Sequence, residues 1–276
     1  MKRRMVYPTA ALALALLVGA PSAGWAQVQS GGNVCFASAT AVDDRIAACS
    51  ALIEANQSPK PVLAMAYLYR GKAYASKELY DLAYGDYSNA LTLDPANAPA
   101  LQGRGNIGVF KGLYDEAASD YTLAIEADPK FWAAYRERGI VRVFQGNYAD
   151  AVSDLQRSLK LHGEPYGALW LQIARLRSGA TATTEFAANV AAFDRAIWPG
   201  PVLDLYLGKA AAAQVLAAAT APDQKCEAIV YVAEWQLAMG QTADAQRGFT
   251  HALDACPKAF VEYQAATAEL NRLHKP

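Results

Sequence analysis

Residues 64–97, AMAYLYRGKAYASKELYDLAYGDYSNALTLDPAN, run directly into 98–131, APALQGRGNIGVFKGLYDEAASDYTLAIEADPKF, and then into 132–162, WAAYRERGIVRVFQGNYADAVSDLQRSLKLH. In register, Gly71, Gly105 and Gly139 share one column and Tyr80, Tyr114 and Tyr148 another, each 34 residues from the last. Ala83, Ala117 and Ala151 keep that step, as do Tyr87, Tyr121 and Leu155, and Pro95 is answered by Pro129. A fixed period of this length marks stacked repeats, because one unit cannot bury its apolar face without its neighbours. The expected fold is therefore all-α: antiparallel helix pairs stacked into a superhelical solenoid. Such arrays present extended concave surfaces, so the function class is binding.

Each column has a physical role. Two helices folded back on each other bring level those positions whose numbers within the unit sum to about 30. The glycine at position 8 then meets the alanine at position 20, and the missing side chain lets the helices approach closely. Tyr67, Leu101 and Tyr135 at position 4, with Tyr87, Tyr121 and Leu155 at position 24, fill the wider space beside that crossing. Arg70, Arg104 and Arg138 recur at position 7 and Asp86, Asp120 and Asp154 at position 23, so each pair should face across its own hairpin. We expect structural ion pairs contributing roughly 0–1 kcal/mol each, and more if buried or networked. The competing reading is an arginine row that binds an acidic partner.

The pattern resembles the tetratricopeptide repeat over residues 64 to about 162, with small residues at 8 and 20, aromatics at 4, 17 and 24 and proline at 32. The resemblance implies a tetratricopeptide-type solenoid in which positions 2, 5, 9, 12 and 13 of each first helix line the concave side. Here those places supply Leu68, Lys72, Gln102, Asn106, Phe110, Arg136, Ile140 and Phe144 as the candidate partner groove. The family's carboxylate clamp needs basic and amide side chains where this chain has Leu68, Ala133 and Glu137, so a clamp is not expected. A mixed groove remains, with Phe110 and Phe144 beside Lys72, Asn106 and Arg136, unless the two phenylalanines pack on neighbouring units.

Outward from the three regular units of 63–162, the organisation loosens. Ala151 to Ala245 is 94 residues, eight short of three repeats, so 163–222 is read as a degenerate helical section. Helices are expected over Tyr166 to Ser178, Thr183 to Ile197, Leu203 to Leu207 and Ala210 to Ala219, with Trp198-Pro199-Gly200-Pro201 interrupting the array. Register returns in 223–276, where Cys226 stands at position 1, Ala245 at 20, Phe249 at 24 and Pro257 at 32. Phe260 to Leu273 reads as a capping helix with Glu262, Glu269, Asn271 and Arg272 on its wet side. Residues 27–62 read as an N-terminal arm and an incomplete repeat, with Asp43 to Glu54 as its helix.

Residues 1–26 resemble a cleaved secretory leader: Lys2, Arg3 and Arg4, an apolar run from Ala10 to Ala20, and small residues at Gly24 and Ala26. Cleavage after Ala26 would place the chain in the periplasm or outside the cell, with no integral membrane segment left. The remainder has 22 basic against 26 acidic residues, a formal charge of −4, which offers no electrostatic footprint for nucleic acid or anionic lipid. Four cysteines in an exported chain favour disulfides, and of three connectivities proximity favours Cys35–Cys49 and Cys226–Cys256, with buried free thiols as the alternative.

Chemistry is sparse. His162, His251 and His274 lack a second ligand at metal spacing, and no phosphate loop, nucleophile elbow or HExxH helix occurs. The expectation is a protein without catalysis, metal or cofactor. The order of three repeats, a degenerate middle carrying Trp198 and Leu203-Asp204-Leu205-Tyr206-Leu207-Gly208, a returning repeat and Phe260-Val261-Glu262-Tyr263 resembles the NlpI type of envelope lipoprotein. That likeness implies an adaptor for protein or peptide partners such as an envelope protease or murein hydrolases. The first cysteine is Cys35, so the group's lipid attachment point is missing and the expectation becomes a soluble periplasmic scaffold. A chaperone-like holder of exported chains and a glycan- or cell-wall-binding accessory module are the alternatives.

Overall fold

The computed structural model describes residues 34–180 and 183–274; the leader expected at 1–26 lies outside the described residues. The N-terminal half is a row of helix pairs. α1 (Val42–Ala55) stands alone as the second helix of an incomplete unit. It is followed by the hairpins α2 (Lys60–Ser76) with α3 (Tyr80–Leu93), α4 (Ala98–Phe110) with α5 (Tyr114–Ala127), and α6 (Trp132–Gln145) with α7 (Tyr148–Leu161). Consecutive helices pack on one another throughout this run, as a solenoid requires.

The closeness of each hairpin is set by its glycine. A β-carbon on Gly105 would stand 2.7 Å from Cε1 of the buried Tyr121, and one on Gly139 would stand 2.7 Å from Cγ of Leu155. Any larger residue in that column would push the two helices apart.

The arginine–aspartate columns pair within each hairpin. Arg70 donates to Asp86 through Nε and Nη2 at 2.8 and 2.9 Å, Arg104 to Asp120 at 2.9 and 2.6 Å, and Arg138 to Asp154 at 2.8 and 2.7 Å. All three aspartates are buried, which moves the row out of the weak surface class. The third nitrogen of Arg70 reaches Ser50 Oγ on α1 at 2.9 Å, and that of Arg138 reaches Thr122 Oγ1 on α5 at 3.0 Å, so the pairs also tie one unit to the one before.

The C-terminal half is more enclosed than a stack of hairpins. α8 (Pro165–Arg177) continues the array but is surrounded by α7, α9 (Thr183–Asn189), α10 (Gly200–Tyr206) and α12 (Pro222–Ala238). Nine consecutive residues of it, Gly167 to Arg175, are buried. α9 stops at Asn189, short of the expected Ile197, and turns fill the span to Trp198. Pro201 opens α10, where a missing amide donor costs nothing, so the Trp-Pro-Gly-Pro stretch starts a helix as well as separating two. α11 (Ala212–Ala218) leads to α12, which pairs with α13 (Thr242–Ala255).

α14 (Val261–Leu273) departs from the expectation of a cap with a wet face. It packs against α12 and α13, and also reaches across the concave side onto α4 and α6. Glu262 and Glu269 are buried, against the reading that placed them in solvent, while Asn271 is exposed. The physical reason is superhelical curvature: the array turns far enough for its last helix to meet its own middle. Arg272 Nη2 donates to the carbonyls of Val143 and Phe144 at 3.0 and 2.8 Å, capping the carbonyl end of α6 with a cation.

Two cysteine pairs stand at bonding distance, with S–S separations of 2.03 Å for Cys35–Cys49 and 2.17 Å for Cys226–Cys256. The first anchors the N-terminal arm, where Phe36 meets Tyr69 of α2 edge-on, and the second joins the start of α12 to the end of α13.

Candidate functional site

The concave face divides into an open half and a covered half. On α2 and α4, Met65, Lys72, Pro99 and Asn106 are exposed and Gln102 is half-buried. The Lys72 ammonium lies 5.6 Å over the Tyr69 ring, and partial burial lowers its pKa, with Arg45 adding to the effect. Asn106 Oδ1 accepts a hydrogen bond of 2.8 Å from Tyr121, which fixes its amide group at the surface. Phe110 is half-buried, with its ring 4.2 Å from that of Tyr80 in the preceding unit.

On α6 the picture differs. Leu68, on α2, and Ile140, on α6, are core residues, 6% and 4% exposed, although Ile140 lines the larger of the two cavities described below. Phe144 is also withdrawn at 6%, held between Tyr114 and Trp170 with ring centroids 5.6 and 5.8 Å away, and its carbonyl is covered by Arg272. Two of these expected groove residues, Leu68 and Phe144, are corrected to packing residues. Leu68 turns inward between units, and Ile140 and Phe144 are sealed by α8 and the returning α14. Arg136 remains partly accessible but is already paired, donating to Glu137 at 3.0 and 2.5 Å with Glu164 at 3.7 Å.

What α14 leaves uncovered are two small cavities. One of about 170 Å³ lies between Phe110, Asn106, Glu137 and Gln264, where the Gln264 amide reaches the Phe110 carbonyl at 3.4 Å. The other, about 240 Å³, is lined by Arg136, Glu137, Tyr166, Trp170, Tyr231 and Glu262. Burial, reinforced by Glu227, raises Glu262 to about 7. Tyr166 donates to Glu227 at 2.9 Å, and Trp198 Nε1 donates to the same oxygen at 2.7 Å. Tyr166, Trp170 and Tyr231 were not expected in a site, although a signal existed: Trp170 is 34 residues beyond Arg136 and so occupies position 5 of a fourth unit. Its column-8 residue is Ile173 instead of glycine, which hid the register.

Comparison with known proteins agrees with this geometry. Residues 98–131 match the model of the tetratricopeptide repeat. A tetratricopeptide repeat protein from Parabacteroides merdae superposes over 90% of this chain and 98% of its own, at 16% identity and a TM-score of 0.58. This is a tetratricopeptide-type helical solenoid. The MamA protein is also similar, with 18% identity, coverage of 63% of this chain and 98% of its own, and a TM-score of 0.52. No curated protein matches. Among the described residues of this tetratricopeptide array, no three histidine, cysteine, aspartate or glutamate side chains converge on a metal-sized site, and no helix is long and apolar enough to cross a membrane.

A second buried acidic centre lies behind α14. Glu234 and Glu269, each 1% exposed, share Arg177, which stands 3.4 and 2.9 Å from them; Arg272 also pairs with Glu269, and both arginines sit over the Tyr148 ring. Burial first, then the neighbouring Glu269 charge, raises Glu234 from 4.5 to about 8. Between those two values the folded chain holds a proton that the unfolded chain has released, so stability falls as pH rises. Glu262 acts in the same direction up to about 7. We expect the melting temperature to drop by several degrees between pH 5.5 and 8.5, at roughly 2–4 °C per kcal/mol for a chain of this size. Glu234→Gln should flatten the profile. Calorimetry showing a flat or rising profile in the parent chain would refute the assignment.

Proposed function

We propose that the chain is an exported, non-catalytic scaffold that holds a protein or peptide partner against the open half of its concave face. The observation that carries this reading is the contrast along the inner helices. On α2 and α4 Met65, Lys72, Pro99 and Asn106 remain exposed, with α14 reaching α4 at its Phe110 end, whereas on α6 Ile140 and Phe144 are buried beneath α8 and α14. An exposed strip of apolar Met65 and Pro99 beside basic Lys72 and the amides of Gln102 and Asn106 suits a segment with apolar anchors and acceptor groups between them. The two cysteine pairs at bonding distance support an oxidising compartment, consistent with export. The sequence resemblance to envelope adaptors makes a protease or murein hydrolase of the envelope the first partner class to test. The scaffold would act by raising the effective concentration of two partners for each other, with no chemistry of its own.

A photo-crosslinking residue placed at Asn106, with one at exposed Leu123 on α5 as the convex control, tests the reading in cells. Discrete protein adducts at 106 that are absent at 123 are the expected outcome. Equal labelling at both positions, or none at 106, overturns it, and a broad smear of adducts would favour a holder of unfolded chains.

A further inference from the structure

We propose that the 240 Å³ cavity between α6, α8, α12 and α14 receives a single basic side chain, lysine or arginine, from the bound partner. This rests on the reading that the concave face takes partners, and it assigns the chemistry of one contact there.

The charges around the cavity do not balance. Glu137 and Glu262 line it, Glu227 stands behind Tyr166, and Glu164 behind Arg136. Against these four carboxylates there is one guanidinium, and Arg136 is already engaged by Glu137 and Glu164. An anionic guest would meet uncompensated repulsion. A purely apolar guest would seal Glu262 away from water without a cationic partner.

The walls suit a cation carried on an aliphatic stem. The rings of Tyr166 and Trp170 lie 6.5 and 5.9 Å from that of Tyr231, and all three residues line the space. Such walls attract ammonium and guanidinium groups and pack against methylenes. The volume lies below the range that holds a drug-sized ligand, which fits one side chain better than a whole small molecule.

Tyr231 is completely buried, and its hydroxyl lies beside the Glu262 carboxylate, in place to share a hydrogen bond with it. A cationic group entering the cavity would draw the Glu262 carboxylate and that hydroxyl into one hydrogen-bonded set. Arg136 and Glu137, with side chains 26% and 19% exposed, form the mouth, and Trp170, Tyr231 and Glu262 form the floor.

The test uses the intact mature chain and two probes, N-acetyl-lysine methylamide and its uncharged norleucine counterpart, followed by calorimetry. The lysine derivative should bind saturably in the millimolar range, and the norleucine derivative at least tenfold more weakly. Glu262→Gln should weaken the lysine probe at least tenfold while the melting temperature holds or rises, since it removes a buried charge. Glu137→Gln, at the mouth and more exposed than Glu262, should weaken it several-fold and serves if the first variant misfolds. Absence of saturable binding, equal binding of the two probes, or unchanged affinity in both variants overturns the proposal. If the lysine probe fails while the crosslinker at 106 captures a partner, the pocket assignment alone falls; failure of the crosslinker alone removes the concave scaffold reading.

Discussion

Replacing Asp154 with alanine should lower the free energy of unfolding by about 3–5 kcal/mol, the range found when one member of a buried ion pair is removed. Its carboxylate is 4% exposed and accepts three charged hydrogen bonds, from Arg138 Nε and Nη2 at 2.8 and 2.7 Å and from Arg142 Nη1 at 2.5 Å. Truncation leaves two guanidiniums half-enclosed with nothing to neutralise them. Asp86 and Asp120 each hold one arginine, so their alanine variants should cost less, and the order of the three losses is itself a check. Replacing Arg138 and Asp154 together with apolar residues should recover part of the loss, because one of the two unpaired charges is then gone as well while Arg142 remains. Denaturant unfolding measures all of these. A loss below about 1 kcal/mol for Asp154→Ala would return the row to the surface class.

The second large effect should come from opening the Cys226–Cys256 bridge. It closes a loop of 30 residues that contains most of the last hairpin. In the chain-entropy account, such a crosslink contributes about 3–4 kcal/mol by restricting the unfolded chain. A Cys226→Ser, Cys256→Ser double variant should therefore melt roughly 10 °C lower, at about 2–4 °C per kcal/mol. The Cys35–Cys49 loop, with a separation of 14, should matter less to global stability and more to the anchoring of the arm. An unchanged midpoint in the double variant would mean that the hairpin holds without its crosslink.

The regular units were legible because every column has a local cause. Gly105 is required by the Tyr121 ring, and Arg104 recurs because Asp120 faces it one helix away. The burial of the aspartates was harder to see, since a charged column on a helix is normally read as solvated. Two parts of the site escaped for different reasons. Trp170 kept its 34-residue spacing but lost the glycine that would have announced it. The return of α14 depends on the summed curvature of all the preceding hairpins, and no local pattern encodes that. Glu262 and Glu269 had the spacing of an outer face, yet contacts such as Gln264 with Phe110, 154 residues apart, turn that face inward.

The clasp of Arg272 on the end of α6 has a mechanical consequence. A free solenoid is a soft spring that can unravel from either tip, one unit at a time. Here the rear tip is hooked back onto the middle, which turns the segment from α6 to α14 into a closed ring that must give way as a whole. The first hairpin keeps the compliance of the spring. The chain thus joins a stiff block to an elastic arm, and the exposed strip runs from α2 on that arm to α4, where the returning α14 takes hold.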